Sequence, residues 1–439
     1  MSGAVLRSLI VPLALLATAC ATAPRDEPTM APPPSGEAYR GEIEAIAADA
    51  EVAAAFAHIA AKHEARLADL VTLTEIPAPP FNEAARARAF AEMLRATEFG
   101  TVTIDEAGNV VARREGTGER ELMVVAHIDT VFPAETDVSV TVEGNRYTAP
   151  GIGDNVRGMV MLLELADAIA EAGIRTEAAL VFVGNVGEEG LGDLSGVRHL
   201  FREGAERPDS FIAIDGGDQT RLVTSAVGSN RYKVTFSGEG GHSWGDFGAA
   251  NPHHAAARAI ENFAESARPI TLSGPRSSFS VGRIGGGTSV NSIPFESWFE
   301  VDMRSGNAGK LAALDAAFRA AMEAGLEEEN EQRTVNGPLS VGIERIGLRP
   351  AGEGDPAAPL IGRAVAVLRR DDIEPSLAAS STDSNVPISL GVPAVTISRC
   401  GTSERAHSLD EYWIDTDDVV PCTQRALLLI LAEAGLAAD

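Results

Sequence analysis

A histidine and an aspartate end one of the most apolar segments of the chain. In VVAHIDTVFP, two valines and an alanine lead to His127, and Asp129 follows two residues later. Because side chains alternate between the two faces of a strand, a strand here would present both residues on one side. Metal-binding histidines usually have a carboxylate at their other ring nitrogen. The pair is therefore typical of a metal site at the carboxyl end of a strand, provided that further ligands occur elsewhere.

Four other segments place acids or a histidine beside predicted strands and helices. APGIGDNVRG puts Asp154 in a turn before a helix, and VGNVGEEGLG puts Glu188 and Glu189 after a buried strand. FIAIDGGD ends a strand on Asp215, and RAHSLDEYW carries His407. Taken singly, each is more typical of a helix cap, a solvated loop or a core histidine. Because they recur at the carboxyl ends of successive strands, we predict that one sheet gathers them in one crevice.

A mixed set of histidine and carboxylate ligands suits two adjacent zinc ions. Such ions, ~3.5–4 Å apart, activate a water molecule and stabilise the developing oxyanion. One carboxylate must bridge the metals, and another must accept the proton of the water. The adjacent Glu188 and Glu189 offer that division, one as base and the other as ligand.

The order of predicted elements indicates an α/β fold with an insertion. The apolar runs ELMVVAHID, AALVFVGNVG and SFIAID alternate with helical segments, which predicts a mostly parallel sheet with flanking helices. From about residue 229 the order becomes β-α-β-β-α-β, the ferredoxin-like order. We predict five segments: a signal or lipoprotein segment at 1–20, a disordered tether at 21–40, a catalytic domain at 41–228 that continues at 341–439, and an inserted α+β domain at 229–340.

In this order the motifs resemble those of the co-catalytic di-zinc peptidases and deacylases. This family includes glutamate carboxypeptidase, succinyl-diaminopimelate desuccinylase, acetylornithine deacetylase, aminoacylase and tripeptidase T. The resemblance runs from about residue 120 to 410 and implies a zinc-exopeptidase-like catalytic domain with an inserted dimerisation domain. It also implies two Zn²⁺ per chain, with Co²⁺ or Mn²⁺ as substitutes. The roles it implies are one zinc on His127 and Asp215, the other on Glu189 and His407, Asp154 as bridge, Glu188 as general base and Asp129 as the group that orients His127.

The resemblance also implies roles in and after the inserted domain. GEGGHSW places His242 where the family has a histidine that stabilises the oxyanion in the active site of a neighbouring subunit, which implies a homodimer. GGTSVNSIP and VDMRS supply Asn291 and Arg304 for the substrate carboxylate, a task that suits the fork of arginine. SSTDSN supplies Thr382 and Asp383 near the substrate.

The chain departs from the family after Asp154. Many members have an acid and then a lysine there, whereas this chain has Asn155, Val156 and Arg157. The peptide bond that follows the bridging aspartate is often cis in the family. The departure leaves the ligands intact but argues against a close match to any one named specificity.

Charge and the first residues bear on partners and location. The net charge is −27, with 36 Lys and Arg against 63 Asp and Glu, which argues against nucleic acid and anionic membrane surfaces as partners.

LLATAC resembles a bacterial lipoprotein box with Cys20 as the lipid-bearing residue, and plain secretion is the alternative. We therefore expect an exported protein of the periplasm or cell envelope, on the membrane only through that anchor. In such a compartment Cys400 and Cys422 either pair or remain as buried thiols.

Three functions follow from these residues. The first is a zinc-dependent exopeptidase of small peptides, and the second is an N-acyl amino acid deacylase with the same chemistry. Export favours the first, because peptide scavenging occurs outside the cytoplasm. The third, a catalytically silent binding lipoprotein, predicts loss of the base or of a ligand, yet all six positions are present.

Overall fold

The computed structural model describes residues 32–438. The predicted leader, the lipid anchor at Cys20 and most of the tether lie outside the described residues. No helix within residues 32–438 has the length and apolarity needed to cross a membrane.

Residues 32–438 contain ten α-helices and nineteen strands. The helices are α1 (Glu37–Ala47), α2 (Ala50–Thr74), α3 (Ala84–Ala96), α4 (Arg157–Glu171), α5 (Ser195–Leu200), α6 (Pro252–Thr271), α7 (Ala308–Glu331), α8 (Pro359–Arg370), α9 (Asn385–Ser389) and α10 (Val419–Ala434). The strands are β1 (Thr101–Ile104), β2 (Val110–Arg114), β3 (Glu121–His127), β4 (Thr141–Glu143), β5 (Arg146–Thr148), β6 (Ala179–Asn185), β7 (Ser210–Gly216), β8 (Arg221–Ala226), β9 (Gly228–Ser237), β10 (Gly241–His242), β11 (Ser277–Gly286), β12 (Ser292–Ile293), β13 (Glu296–Ser305), β14 (Ser340–Arg349), β15 (Gly352–Glu353), β16 (Ser376–Ser380), β17 (Ala394–Ser398), β18 (Thr402–Glu404) and β19 (Tyr412–Ile414).

The main sheet has the order β1-β2-β6-β3-β7-β17-β8-β15, with β16 paired to β8. Its centre, β6-β3-β7-β17, is parallel. These central strands are apolar along almost their whole length because helices cover both faces of the sheet. All residues of β3 after the first are buried. Parallel strands end at one edge, and the register places His127 of β3 opposite Asn185 of β6.

The inserted domain is a four-stranded antiparallel sheet with the order β11-β13-β9-β14. Numbered within the insertion this is 2-3-1-4, the ferredoxin-like arrangement that the element order predicts. Helices α6 and α7 pack on the sheet, and their aromatic core includes Tyr232, Phe263 and Phe318.

Two predicted boundaries differ from the structure. β14 pairs with β9 from Ser340 to Arg349, so the inserted sheet ends near 349 and the catalytic domain does not resume at 341. The predicted tether at 21–40 is too long, because α1 begins at Glu37. Arg363 of α8 stacks on the ring of Tyr39, 5.2 Å from its centre, and thereby anchors α1 to the domain.

The two remaining cysteines form a disulfide. Cys400 follows β17, Cys422 lies in α10, and their Cα atoms are 5.7 Å apart. Of the two states left open by the sequence, the structure has the paired one. The bond ties the strand end that carries Arg399 to the last helix.

Candidate metal centre

Six acids and histidines converge where the parallel strands end, and we call them the strand-end cluster. They are His127, Asp154, Glu188, Glu189, Asp215 and His407. One oxygen of Asp154 lies 3.3 Å from Nε2 of His127, and its other oxygen lies 3.6 Å from Nε2 of His407. Asp215 lies 3.6 Å from the first histidine, and Glu189 lies 2.9 Å from the second. Asp154 therefore stands between two histidine–carboxylate pairs, as a bridging ligand must.

The donor set fits divalent metal ions. Ligand atoms of His127, Asp154 and Glu189 all lie within 4.8 Å of one another. Two bonds of ~2.0–2.2 Å to a common ion nearly span that separation. All three side chains are at least half-buried, and imidazole with carboxylate is a set that zinc prefers. His127, Asp154 and Glu189 would therefore be among the residues that hold the metal ions.

Asp129 differs from its predicted role. Its carboxylate oxygens accept hydrogen bonds from the backbone N–H groups of Glu188 and Glu189, at 2.9 and 2.8 Å. The group nearest to Nδ1 of His127 is the carbonyl oxygen of Asp129, at 3.0 Å, whereas a carboxylate oxygen is 3.6 Å away. Asp129 therefore orients His127 through its main chain and fixes the turn of the two glutamates through its side chain.

That turn also needs a glycine. Gly187 has a φ of 63°, and a Cβ there would lie 2.1 Å from Oγ of Ser195. Only glycine adopts this left-handed conformation without strain. It turns the chain after β6, so that Glu188 and Glu189 meet the carboxylate of Asp129.

Glu411 holds the loop that contains Asp154, and the sequence patterns did not predict this role. Its carboxylate accepts hydrogen bonds from the backbone N–H groups of Gly151, Gly153 and Asp154, at 2.8–3.0 Å. The peptide bond after Asp154 is cis, as it often is in the family that the sequence resembles. Glu411 is fully buried and lies four residues after His407, so it connects the loops of two ligands.

Two buried arginines at the site were also missed. Arg349, at the end of β14, lies 2.8 Å from a carboxylate oxygen of Glu188 and also bonds its carbonyl oxygen. Arg399, directly after β17, lies 3.2 Å from Asp154 and 3.3 Å from Asp215. Arg399 could have been found by the rule that found the others, since it too follows a strand of the sheet.

Burial and charge set the pKa values in the cluster. Burial raises the pKa of Glu188 well above its usual range, against the opposing charges of Arg349 and His127. Burial lowers the pKa of His127, but its acidic neighbours, Asp129 first, raise it well above 6.5 overall. Hydrogen bonds that the His407 ring donates to the carboxylates of Asp154 and Glu189 raise the pKa of His407 to about 10. Because several carboxylates lie close together in this cluster, their mutual repulsion favours the binding of a cation.

The other predicted substrate contacts fall into two places. Arg304 and Thr382 line the cleft of about 440 Å³ that contains the cluster. Asp383 is only 1% exposed and bonds the side chain of Asn185 at 2.8 Å. Burial raises its pKa to about 7. Asp383 therefore supports the site from behind and does not face the cleft.

His242 and Asn291 lie apart from the cleft of their own chain. They belong to the ribbon in which β10 pairs with β12, outside the main inserted sheet. Both are exposed, and the carbonyl oxygen of Asn291 accepts a hydrogen bond from Ser243, next to His242. Neither residue therefore lines the cleft that contains the strand-end cluster of the same chain.

Residues 123–432 match the family described as Peptidase family M20/M25/M40. The chain belongs to this family. Membership confirms the predicted family and the prediction of a metallo-hydrolase acting on peptide or amide bonds. The two-part α/β architecture is confirmed as well.

Several individual proteins are similar over parts or most of the chain. Carboxypeptidase G2 from Pseudomonas sp. (strain RS-16) is 29% identical over 140 residues, which are 31% of this chain and 33% of that protein. The chain thus aligns with about a third of that relative. The aminopeptidase PepT of Bacillus cereus has a TM-score of 0.66 at 19% identity, covering 84% of this chain and 97% of that one. A hydantoinase/carbamoylase family amidase from Burkholderia ambifaria has a TM-score of 0.57 at 19% identity, covering 86% and 98%. At such identities the two structures indicate the fold alone.

Proposed function

We propose that the protein is a zinc-dependent exopeptidase that hydrolyses an amide bond of small peptides. The observation that carries the proposal is the position of Asp154, whose two oxygens face two separate histidines. With Glu189 and Asp215 this arrangement gives ligands for two Zn²⁺ ions. Co²⁺ or Mn²⁺ would suit the same oxygen and nitrogen donors.

Two bound metals supply Lewis acidity, which polarises the amide carbonyl and lowers the pKa of water. Glu188 would take the proton from the attacking water and return it to the leaving amine. Burial favours this role, because it raises the pKa of Glu188 well above its usual range. Arg349, at the end of strand β14 of the inserted sheet, holds the carboxylate of Glu188.

Arg304 would bind the carboxylate of the substrate, because its guanidinium lines the same cleft as the metal ligands. An N-acyl amino acid also carries such a carboxylate next to its amide bond. Deacylation is therefore the second candidate, and the family and fold accommodate peptidases and amidases alike.

The test is turnover of a matched panel by mass spectrometry, with zinc-loaded and chelator-treated protein. The panel holds di- and tripeptides, the same peptides with acetylated amino termini, and simple N-acyl amino acids. The proposal expects chelator-sensitive cleavage of at least the free peptides. Cleavage of N-acyl amino acids alone would favour the deacylase, and no cleavage in any class would contradict both.

We also propose a homodimer in which His242 of one chain completes the site of the other. Exposed apolar side chains flank its ribbon, including Trp244, Phe247 and Val290. Exposed apolar clusters of this kind are typical of protein interfaces. Asn291 would follow His242 into the partner site.

Mixing two inactive variants tests this arrangement. In a mixed dimer of Glu188→Gln and His242→Ala, one site would have both an intact base and an intact histidine from the partner. We expect the mixture to recover activity that neither variant has alone. A dimer that recovers none would contradict action on the partner.

Export to the periplasm or cell envelope, with a lipid on Cys20, completes the proposal. Labelling of cells with a tagged fatty acid would test it. Wild-type protein should take up the label, and Cys20→Ala should not.

A further inference from the structure

A second cavity, of about 470 Å³, lies between the two domains. The catalytic domain contributes β8, β15 and β16, and the inserted domain contributes the start of β11 and the end of β13. Three of its lining residues are arginines: Arg221 from the catalytic domain, and Arg276 and Arg304 from the insertion. Glu353 is the one acid in the lining.

The charge of this cavity contrasts with that of the chain. The protein has a net charge of −27, whereas the cavity has three arginines and one glutamate. No carboxylate of residues 32–438 lies within 4.0 Å of the charged nitrogens of Arg221 or Arg276. Arg221 is half-buried and donates one hydrogen bond, to the carbonyl oxygen of Ala379 at 3.2 Å. Two guanidinium groups are thus free to bind an anion.

The cavity adjoins the metal centre. Arg304 lines both the metal cleft and this cavity. Residues 377–379 of β16 line the cavity, and residues 380–382 that follow them line the cleft. A molecule in the cavity would therefore lie beside Arg304, on the side away from the metal ligands, and would touch both domains.

We propose that this junction cavity is an anion-binding site for a carboxylate-bearing group, held by Arg221 and Arg276 beside Arg304, whose Nε already donates a hydrogen bond to Asp302 at 2.7 Å. Arginine binds carboxylates through two parallel hydrogen bonds, which suits a site with the two free guanidinium groups of Arg221 and Arg276. The carboxylate belongs either to a distant part of the substrate or to a free small acid. The first source rests on the proposed function, whereas the second does not.

Calorimetric titration of zinc-loaded protein with glutarate tests the site directly. Arg276→Gln and Arg221→Gln should each weaken glutarate binding about tenfold or more, the loss expected for a charge-assisted hydrogen bond. Arg283→Gln is the matched control, because Arg283 lies on β11, the strand that begins directly after Arg276, but pairs with Glu300 at 3.0 Å and does not line the cavity. Glutaramide, which has the shape of glutarate without its charge, should not bind. Because Arg276 is exposed, its replacement should leave folding intact.

Peptide pairs distinguish the two sources of the carboxylate. The members of a pair differ only by glutamate or glutamine after the cleaved bond. If the carboxylate belongs to the substrate, Arg276→Gln should raise KM for the glutamate peptide alone and leave kcat unchanged. If the site instead binds a free small acid, Arg276→Gln should weaken glutarate binding and leave KM unchanged for both the glutamate and the glutamine peptide. Equal glutarate binding by wild type, Arg221→Gln and Arg276→Gln would overturn the proposal. Absence of all peptide turnover would contradict the proposed function, while the titration would still test the site.

Discussion

Two groups of buried charged residues lie in the catalytic domain, and they are arranged in opposite ways. The strand-end cluster crowds carboxylates around two histidines. A second group, which we call the helix-layer cluster, consists of His63, Arg157, Glu164 and Asp415. There, Arg157 lies 2.8 Å from Glu164 and His63 lies 2.9 Å from Asp415. Each acid thus has its own base.

This difference in charge balance distinguishes a cluster that stabilises the fold from a cluster that suits a functional site. In the helix-layer cluster, Arg157 and Glu164 are 2% and 4% exposed and neutralise each other. In the strand-end cluster, Asp154 shares one arginine with Asp215. A buried group with an excess of one charge either shifts its pKa values, as His407 does, or takes up a counter-ion. The excess of carboxylates therefore marks the site that binds cations, and the balanced group supports the fold.

The largest expected effect is on turnover in the strand-end cluster. Glu188→Gln keeps the shape of the side chain but removes the proton acceptor. We expect hydrolysis to fall by ~10²–10⁴-fold, the usual contribution of a general base. Metal content, measured by atomic absorption, should match the wild type, because Glu188 is not among the predicted ligands. Full turnover in this variant would show that the base is another residue.

Next in size is the loss of stability in the helix-layer cluster. Arg157→Met leaves Glu164 buried without its partner, so we expect the free energy of unfolding to fall by ~3–5 kcal/mol. The double variant Arg157→Met/Glu164→Leu removes both charges and should recover most of the loss. Urea unfolding measures both variants. If the double variant is as unstable as the single one, the loss is due to packing and not to charge.

A smaller effect is expected for Glu411, which hydrogen-bonds the backbone around Asp154 but is not itself a predicted metal ligand. Glu411→Gln replaces an acceptor of three backbone N–H groups with a side chain that has one acceptor oxygen. We expect zinc affinity to fall by ~10–100-fold, with little change in the secondary structure seen by circular dichroism. Glu404, an exposed acid at the end of β18, just before the loop that carries Glu411, gives the control, and Glu404→Gln should bind zinc as the wild type does.

The last prediction concerns the dependence of stability on acid. Burial raises the pKa of Glu164, but Arg157 and His63 lower it to about 2, below its ordinary value of 4.5. A folded-state pKa below the unfolded one contributes stability that is present above pH 4.5 and lost as the pH falls toward 2. Unfolding of chelator-treated wild type and Glu164→Gln should therefore differ most at pH 5 and converge near pH 2. A constant difference across this range would contradict the low pKa.

Much of the fold and of the strand-end cluster could be predicted because both depend on local patterns. An apolar run that stops at a charged residue marks where a strand ends, and parallel strands bring those ends together. This rule found His127, Glu189 and Asp215. It was applied only to acids and histidines, and therefore it did not find Arg399.

The missed contacts depend on residues far apart in the chain. Asp129 binds the backbone of Glu188, 59 residues away, and Arg349 reaches the same glutamate across 161 residues. Glu411 binds backbone N–H groups, which carry no sequence signal. The predicted end of the inserted domain at 340 is too early, because the strand that begins there pairs with β9 as far as Arg349 and ends before the turn residues Pro350 and Gly352.

The zinc content of the protein tests the central claim most directly. Wild-type protein and Asp154→Asn are dialysed against the same buffered zinc, and bound metal is measured per chain. The account predicts two Zn²⁺ in the wild type and fewer in the variant, because Asp154 faces both histidines. A wild type without tightly bound metal, or a variant that keeps two ions at unchanged affinity, would contradict it.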